Sequence, residues 1–238
     1  MMEALKATGV CRAYGRQQVL NGFELTLEAG SFEALMGPSG SGKSTFLHLA
    51  AGLLAADRGA ILIGGKDVVK MGDAEATKFR RRHIGVVFQQ FNLLNEKTVE
   101  ENILFPVRLD GGRVNRARFE SLVQRLGIAD KVARKPEELS GGEQQRVAIA
   151  RALMTEPDVI LADEPTGNLD AKAAKDICTL LQELNGTERS AILIVTHDPV
   201  VAASAANVHF LREGRIAASY PTQHDPERIS KLYLETYK

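Results

Sequence analysis

Cysteine is scarce in this chain of 238 residues, where only Cys11 and Cys178 are present. Two cysteines rule out a disulfide framework and show no metal-ligand spacing, so a reducing compartment fits. An excess of one charge is missing too: 30 basic residues offset 30 acidic ones, giving a formal net charge of zero and a pI near 7.0. That balance argues against nucleic acid as a partner and leaves room only for a local basic patch. Long apolar runs are absent. The stretch from Phe46 to Ala56 is interrupted by His48 and falls well short of the roughly 20 residues that span a bilayer. The start, Met1-Met2-Glu3-Ala4-Leu5-Lys6, has no basic region followed by an apolar one, so no secretory signal is expected. No internal repeat or low-complexity linker stands out, and the length suits one large or two intimate domains.

What is present is an alternation of short apolar runs and helical patterns, the mark of an α/β protein with a mainly parallel sheet. Four runs read as buried strands: 32–36, 84–88, 159–162 and 191–195. A helix is expected from Ser44 to about Leu54. Each strand is followed by polar residues: a glycine loop, then Gln89-Gln90, then Asp163-Glu164, then Thr196-His197-Asp198. Ligands of parallel sheets bind at the carboxyl ends of strands, so these four segments converge on one crevice. From Phe91 to Glu156 the pattern changes to helices with polar connections, read as an inserted helical subdomain.

The loop Gly37-Pro38-Ser39-Gly40-Ser41-Gly42-Lys43-Ser44 matches G-x-x-x-x-G-K-[ST] between a strand and a helix, the context that confirms a phosphate cradle. Small residues let backbone N–H groups turn toward phosphate, Lys43 reaches the outer phosphates, and Ser44 is placed for Mg²⁺. The helix N-terminus adds about 0.3–1 kcal/mol for an anion. Asp163 and Glu164, adjacent at a strand end, are costly unless a cation or a reacting water justifies them. Asp163 is assigned to Mg²⁺ and Glu164 to the water that attacks the γ-phosphate. Ser140 and Glu143 form an S-x-x-E capping box opening a helix through Val147, Ala150 and Met154. Gly141 and Gly142 cost about 1 kcal/mol each relative to Ala inside a helix, which points to a ligand approaching the backbone.

The run Leu139 to Arg146, together with the phosphate loop, Asp163-Glu164 and His197 in this order, resembles the nucleotide-binding subunit of ATP-binding cassette transporters over nearly the whole chain. The resemblance implies a single cassette over 1–238: a P-loop core, 1–90 and 157–238, with an N-terminal antiparallel β-subdomain, and a helical subdomain over 91–156. It implies that ATP and Mg²⁺ are bound, with Gly37 to Thr45 on the phosphates and Tyr14 stacked on adenine; the residues alone leave Tyr14 an ordinary half-buried tyrosine. Gln89 matches the glutamine that reaches Mg²⁺ and the attacking water, His197 the switch histidine at the γ-phosphate, and Asp170 the loop that communicates across a dimer. Ser140, Gly141, Gly142 and Glu143 match the segment that closes over ATP held by a second copy, so the chain is expected to form a head-to-tail homodimer.

The segments Phe88 to Leu94 and Pro165 to Asp170 resemble the branch containing lipoprotein-release, macrolide-efflux, peptide-resistance and cell-division systems. That implies separate transmembrane permease subunits and a place on the cytoplasmic face of the inner membrane. A regulatory ATPase that controls a membrane partner without transport, and a soluble cassette ATPase, are the alternatives. Phe91, Leu93, Leu94 and Phe105 read equally as core or as lining of a partner's groove, and Lys78 to His83 as a solvated face or a binding patch.

Overall fold

The computed structural model describes residues 2–238. Strands β1 (Glu3–Tyr14) and β2 (Gln17–Glu28) form an antiparallel hairpin and are followed by β3 (Phe32–Met36). Next come α1 (Lys43–Ala50), β4 (Arg58–Ile63), β5 (Lys66–Asp67), α2 (Asp73–His83) and β6 (Ile84–Val87). The helical stretch contains α3 (Val99–Leu109), α4 (Arg116–Arg125) and α5 (Gly141–Leu153). The chain closes with β7 (Val159–Asp163), α6 (Ala171–Asn185), β8 (Ala191–Thr196), α7 (Pro199–Ala202), β9 (Asn207–Arg212), β10 (Arg215–Pro221) and α8 (Pro226–Thr236).

Two sheets result. The first is antiparallel with order β2-β1-β4-β5, and the second runs β10-β9-β3-β8-β7-β6, parallel except for β10 at its edge. All five residues of β3 and all six of β8 are buried, as strands covered on both faces must be. Register then decides where the chemistry gathers. Met36 pairs with Thr196, Asp163 with Val195, and Val87 with Ala162, so β3, β8, β7 and β6 end in step along one edge.

The expected helix after the phosphate loop ends four residues early, at Ala50. Gly52 takes φ 62°, where a left-handed conformation costs glycine little, and the Leu53 N–H reaches back to the His48 carbonyl. That geometry stops α1. Phe46 of α1 lies against Phe23 of β2 with ring centroids 4.2 Å apart, which fixes the first sheet to the helix that starts the phosphate site. Removing such a buried ring costs about 3–5 kcal/mol.

The basic run 78–83 is neither a free patch nor a uniformly solvated face. Arg80 donates to the carbonyls of Ala51 and Gly52, Arg81 to that of Leu109, and Arg82 pairs with Asp110 at 2.7 Å. These contacts join α2 to the ends of α1 and α3. Of the four ambiguous apolar residues, Leu93 packs on the core, while Phe91, Leu94 and Phe105 remain half-buried outside it. Among the described residues no helix is long and apolar enough to cross a membrane.

Candidate active site

Helix α1 begins without a side-chain cap and without an acidic residue in its first turn. Its N-cap is Gly42 at φ 106°, where a Cβ would lie 2.9 Å from the Val19 carbonyl oxygen, so neither the conformation nor the space admits a side chain. The amides that open α1 therefore lack the usual Ser, Asp or Asn partner. Pro38, Ser39 and Gly40 are exposed at the tip of the loop, Gly37 is buried, and Ser41 and Thr45 are half-buried. Lys43, only 8% exposed, folds across this loop and donates to the carbonyls of Gly37 at 2.8 Å and Pro38 at 3.0 Å. Burial pushes its ammonium below the ordinary lysine range, although Glu164 and Asp163 pull the other way.

The carboxylates come from the end of β7. Ser44 Oγ donates to Asp163 Oδ1 at 3.1 Å, and burial raises the Asp163 carboxyl above its ordinary value against the pull of Ser44 and His48. Glu164 adopts φ 45°, an uncommon conformation for a residue with a side chain, and its N–H donates to the Val195 carbonyl. Both carboxylate oxygens are engaged: Thr196 Oγ1 donates to Oε2 at 3.0 Å, and His197 Nδ1 lies 2.7 Å from Oε1. His197 remains largely exposed, which leaves Nε2 open to solvent or a ligand. Thr196 also accepts from the Asp198 N–H, so one buried hydroxyl fixes both Glu164 and the turn into α7.

Gln89 is exposed one residue beyond the end of β6 plus Phe88, and it forms no hydrogen bond with Ser44 or Asp163. It is held instead by Asn168: Gln89 Nε2 donates to Asn168 Oδ1 at 3.3 Å, and Asn168 Nδ2 donates to the Gln89 carbonyl at 3.0 Å. Tyr14 closes β1 and is 47% exposed instead of half-buried, with the Arg12 guanidinium 5.0 Å from its ring centre. Asp170 caps α6, its Oδ1 accepting from the Ala173 N–H at 2.8 Å.

The second glycine-rich segment is separate. Ser140 caps α5 and forms the expected box: its N–H and Oγ both donate to Glu143 Oε2 at 2.8 Å, while the Glu143 N–H donates to Ser140 Oγ. These bonds hold the Glu143 carboxyl below its ordinary value. Gly141 faces the loop after β7, since a Cβ there would sit 3.3 Å from Leu169 Cδ2, and Gly142 approaches Ala173. No hydrogen bond or ion pair among the described residues joins 140–143 to the phosphate loop.

Sequence reasoning missed Thr196 and Asn168 as site residues. Thr196 and Asn168 belong to polar segments that were singled out, so their type and place offered a signal.

The architecture and the uncapped phosphate loop define a P-loop ATPase with an attached helical stretch. A family profile described as ABC transporter matches residues 20–167, and the chain belongs to that family. It is 40% identical over 221 residues to the bacitracin export ATP-binding protein BceA of Halalkalibacterium halodurans, a match covering 90% of this chain and 87% of the relative. It is 43% identical over 216 residues to the lipoprotein-releasing system ATP-binding protein LolD of Alcanivorax borkumensis, covering 88% and 95%. Among solved structures, the dimeric bacterial ABC transporter cassette MJ0796 superposes with a TM-score of 0.82 at 37% identity, over 92% of this chain and 99% of that one. The same cassette in its post-hydrolysis state with ADP and Pi gives a TM-score of 0.81. The chain is accordingly an ATP-binding cassette and an ATPase.

Proposed function

We propose that this chain is the ATP-hydrolysing subunit of a membrane transporter or mechanotransmission complex, closing head to tail with a second copy on ATP and driving separate transmembrane permease subunits. One observation carries the reading. Lys43, Ser44, Asp163, Glu164 and His197 gather at one crevice, while Ser140 to Glu143 stands apart as a cap completed by its own hydrogen bonds.

In this reading the Gly37–Thr45 backbone and Lys43 bind the phosphates, Lys43 exchanging two carbonyl contacts for phosphate oxygens. Tyr14 stacks on adenine with the ring face not covered by Arg12. Glu164 takes the proton of the attacking water as that oxygen bonds to the γ-phosphorus and the bond to the ADP oxygen breaks; a positioned base is worth about 10²–10⁴ in rate. His197, anchored on Glu164, reaches the γ-phosphate, and Ser140, Gly141, Gly142 and Glu143 of the second copy cover it. Asp170 and the adjoining loop link the two sites.

Ser44 Oγ and Asp163 Oδ1 are hard oxygen donors 3.1 Å apart, and no cluster of three or more His, Cys, Asp or Glu among the described residues makes a dedicated cage. One carboxylate and a hydroxyl, completed by substrate phosphates and water, suit Mg²⁺. Ser44, Asp163 and Gln89 would hold it, and when bound it offsets charge developing on the phosphates.

Residues 91–156 would move as a helical subdomain against the core 1–90 and 157–238. Residues from about Phe91 to Arg108 would line the groove that takes the permease, a reading supported by Phe91, Leu94 and Phe105, which stay half-buried outside the core. The chain would then sit peripherally on the cytoplasmic face of the inner membrane.

The test is Glu164→Gln. Phosphate release should fall by at least about 10² while an ATP-dependent dimer accumulates on size exclusion. Normal turnover by that variant removes Glu164 as the base, and failure to copurify with any polytopic membrane protein removes the permease.

A further inference from the structure

Directly after Gln89 the backbone takes an unfavourable path. Phe91 has φ 61° and Asn92 φ 51°, and the Asn92 N–H donates to the Gln90 carbonyl at 2.6 Å, closing a three-residue turn centred on Phe91. Left-handed turns of that kind are rare and strained, and a bulky residue with positive φ is an outlier that its surroundings must enforce. The enforcing group is Arg151. Its Nη1 donates to the Asn92 carbonyl at 2.6 Å and its Nη2 to the Phe91 carbonyl at 2.9 Å, a planar fork gripping two successive peptide groups. Burial pushes this guanidinium down to about 10, and no neighbouring carboxylate offsets that. The cation is spent on two backbone carbonyls.

A second anchor follows at once. Asn102, fully buried on α3, accepts from the Leu94 N–H at 2.7 Å and donates to the carbonyls of Leu94 and Thr98. Residues 91–94 are thus fixed at both ends to α3 and α5. Gln89 is fixed on the other side, by Asn168 in the loop after Glu164. Only Gln90 and the turn at Phe91 lie between the two attachments.

We infer that Arg151 is a positioning residue that ties the Gln89 loop to the helix bearing Ser140, so that displacement of Ser140 is delivered to Gln89. Ser140 caps α5 and Arg151 lies in its last turn, about 16 Å along the same rigid rod. Closure of a second copy over Ser140 would rotate this rod, and the fork would carry the Phe91 and Asn92 peptides with it. This inference rests on the proposed ATP-driven closure.

The experiment compares Arg151→Lys and Arg151→Met with the full-length wild-type chain, reading ATP affinity of the monomer, kcat, and amide hydrogen exchange. The Met variant keeps apolar volume without the fork, and the Lys variant keeps the charge but reaches one carbonyl. Expected for Met are an ATP Kd within about twofold of wild type, kcat reduced at least about tenfold, and faster exchange confined to residues 90–94. Lys should fall between, at about threefold in kcat. Wild-type kcat in the Lys variant overturns the inference, and that variant decides the matter if Met fails to fold. Parallel losses of Kd, kcat and exchange protection across the whole chain also overturn it, since they mark a merely structural residue. If the wild-type chain hydrolyses no ATP, the proposed function fails by itself. Exchange at residues 90–94 still reports on the clamp, and no change there refutes it.

Discussion

Residues 37–44 and residues 140–143 are both glycine-rich and both open a helix, yet they are finished in opposite ways. Helix α1 has no side-chain cap and no acid in its first turn, whereas α5 has a complete capping box with Glu143 in place. The phosphate loop holds a buried lysine on carbonyl oxygens and a desolvated carboxyl beside it, both with protonation shifted against their charged forms. The Ser140 segment has its donors and acceptors matched internally. One segment leaves its helix-opening amides without a side-chain cap; the other is capped by its own residues and is exposed at Ser140. A single chain that binds nucleotide with the first can therefore offer the second to another copy without first breaking it open.

The sharpest way to break this comparison is to damage the two segments in different chains. Lys43→Ala alone and Ser140→Arg alone should each abolish phosphate release, by at least about 10². They should do so differently: the first through loss of nucleotide binding, the second with binding intact but no dimer. Mixed together, the two variants should regain activity, because one of the two sites in the mixed dimer pairs an intact phosphate loop with an intact Ser140 segment. A mixture as inactive as its components, with mixed dimers present by mass spectrometry, would place both segments in one chain's site.

A smaller effect is expected from the link between the segments. Asn168→Ala frees the Gln89 side chain and carbonyl without touching either glycine-rich run. ATP affinity should hold while kcat falls about tenfold, because a misplaced positioning group costs rate more than binding. Equal changes in both parameters would show that Asn168 supports binding instead.

Much of this contrast is legible in the sequence. The four strands are legible as short, mostly apolar runs, interrupted in β3 only by Glu33, and their polar successors converge because register ends β3, β6, β7 and β8 together. The capping box at Ser140 and Glu143 formed as its spacing requires, since that signal is local. What escaped was side chain to backbone contact across the fold. Arg80, Arg81 and Arg151 are all arginines on helices, and nothing in residue type separates a solvated one from one that grips distant carbonyls. Positive φ at Phe91 and Glu164 is likewise invisible, because tertiary surroundings impose it on residues that disfavour it. The pairing of β9 with β10 and the helix α8 lie outside the motif-bearing strands and had drawn no expectation.

The smallest effects test the comparison through stability alone, and their signs should be opposite. Burial raises the Asp163 carboxyl above its unfolded value near 3.9. Between those two values the folded chain binds more protons than the unfolded one, so stability falls as pH rises through that window. Lys43 adds to it: with its ammonium lowered by burial, its penalty is present below its folded value and is relieved as pH climbs through that value toward about 10.4. In nucleotide-free protein at pH 7, Asp163→Asn should therefore raise Tm slightly while removing activity. Ser140→Ala removes a satisfied cap and should lower stability by about 1 kcal/mol, or roughly 2–4 °C for a domain of this size. Differential scanning calorimetry at pH 7 and again below pH 4 checks both, because the gain from Asp163→Asn should vanish in acid while the loss from Ser140→Ala persists. A lower Tm for Asp163→Asn at pH 7 would mean that the phosphate half is as internally satisfied as the Ser140 half, and the asymmetry between them would have to be sought in geometry instead of electrostatics.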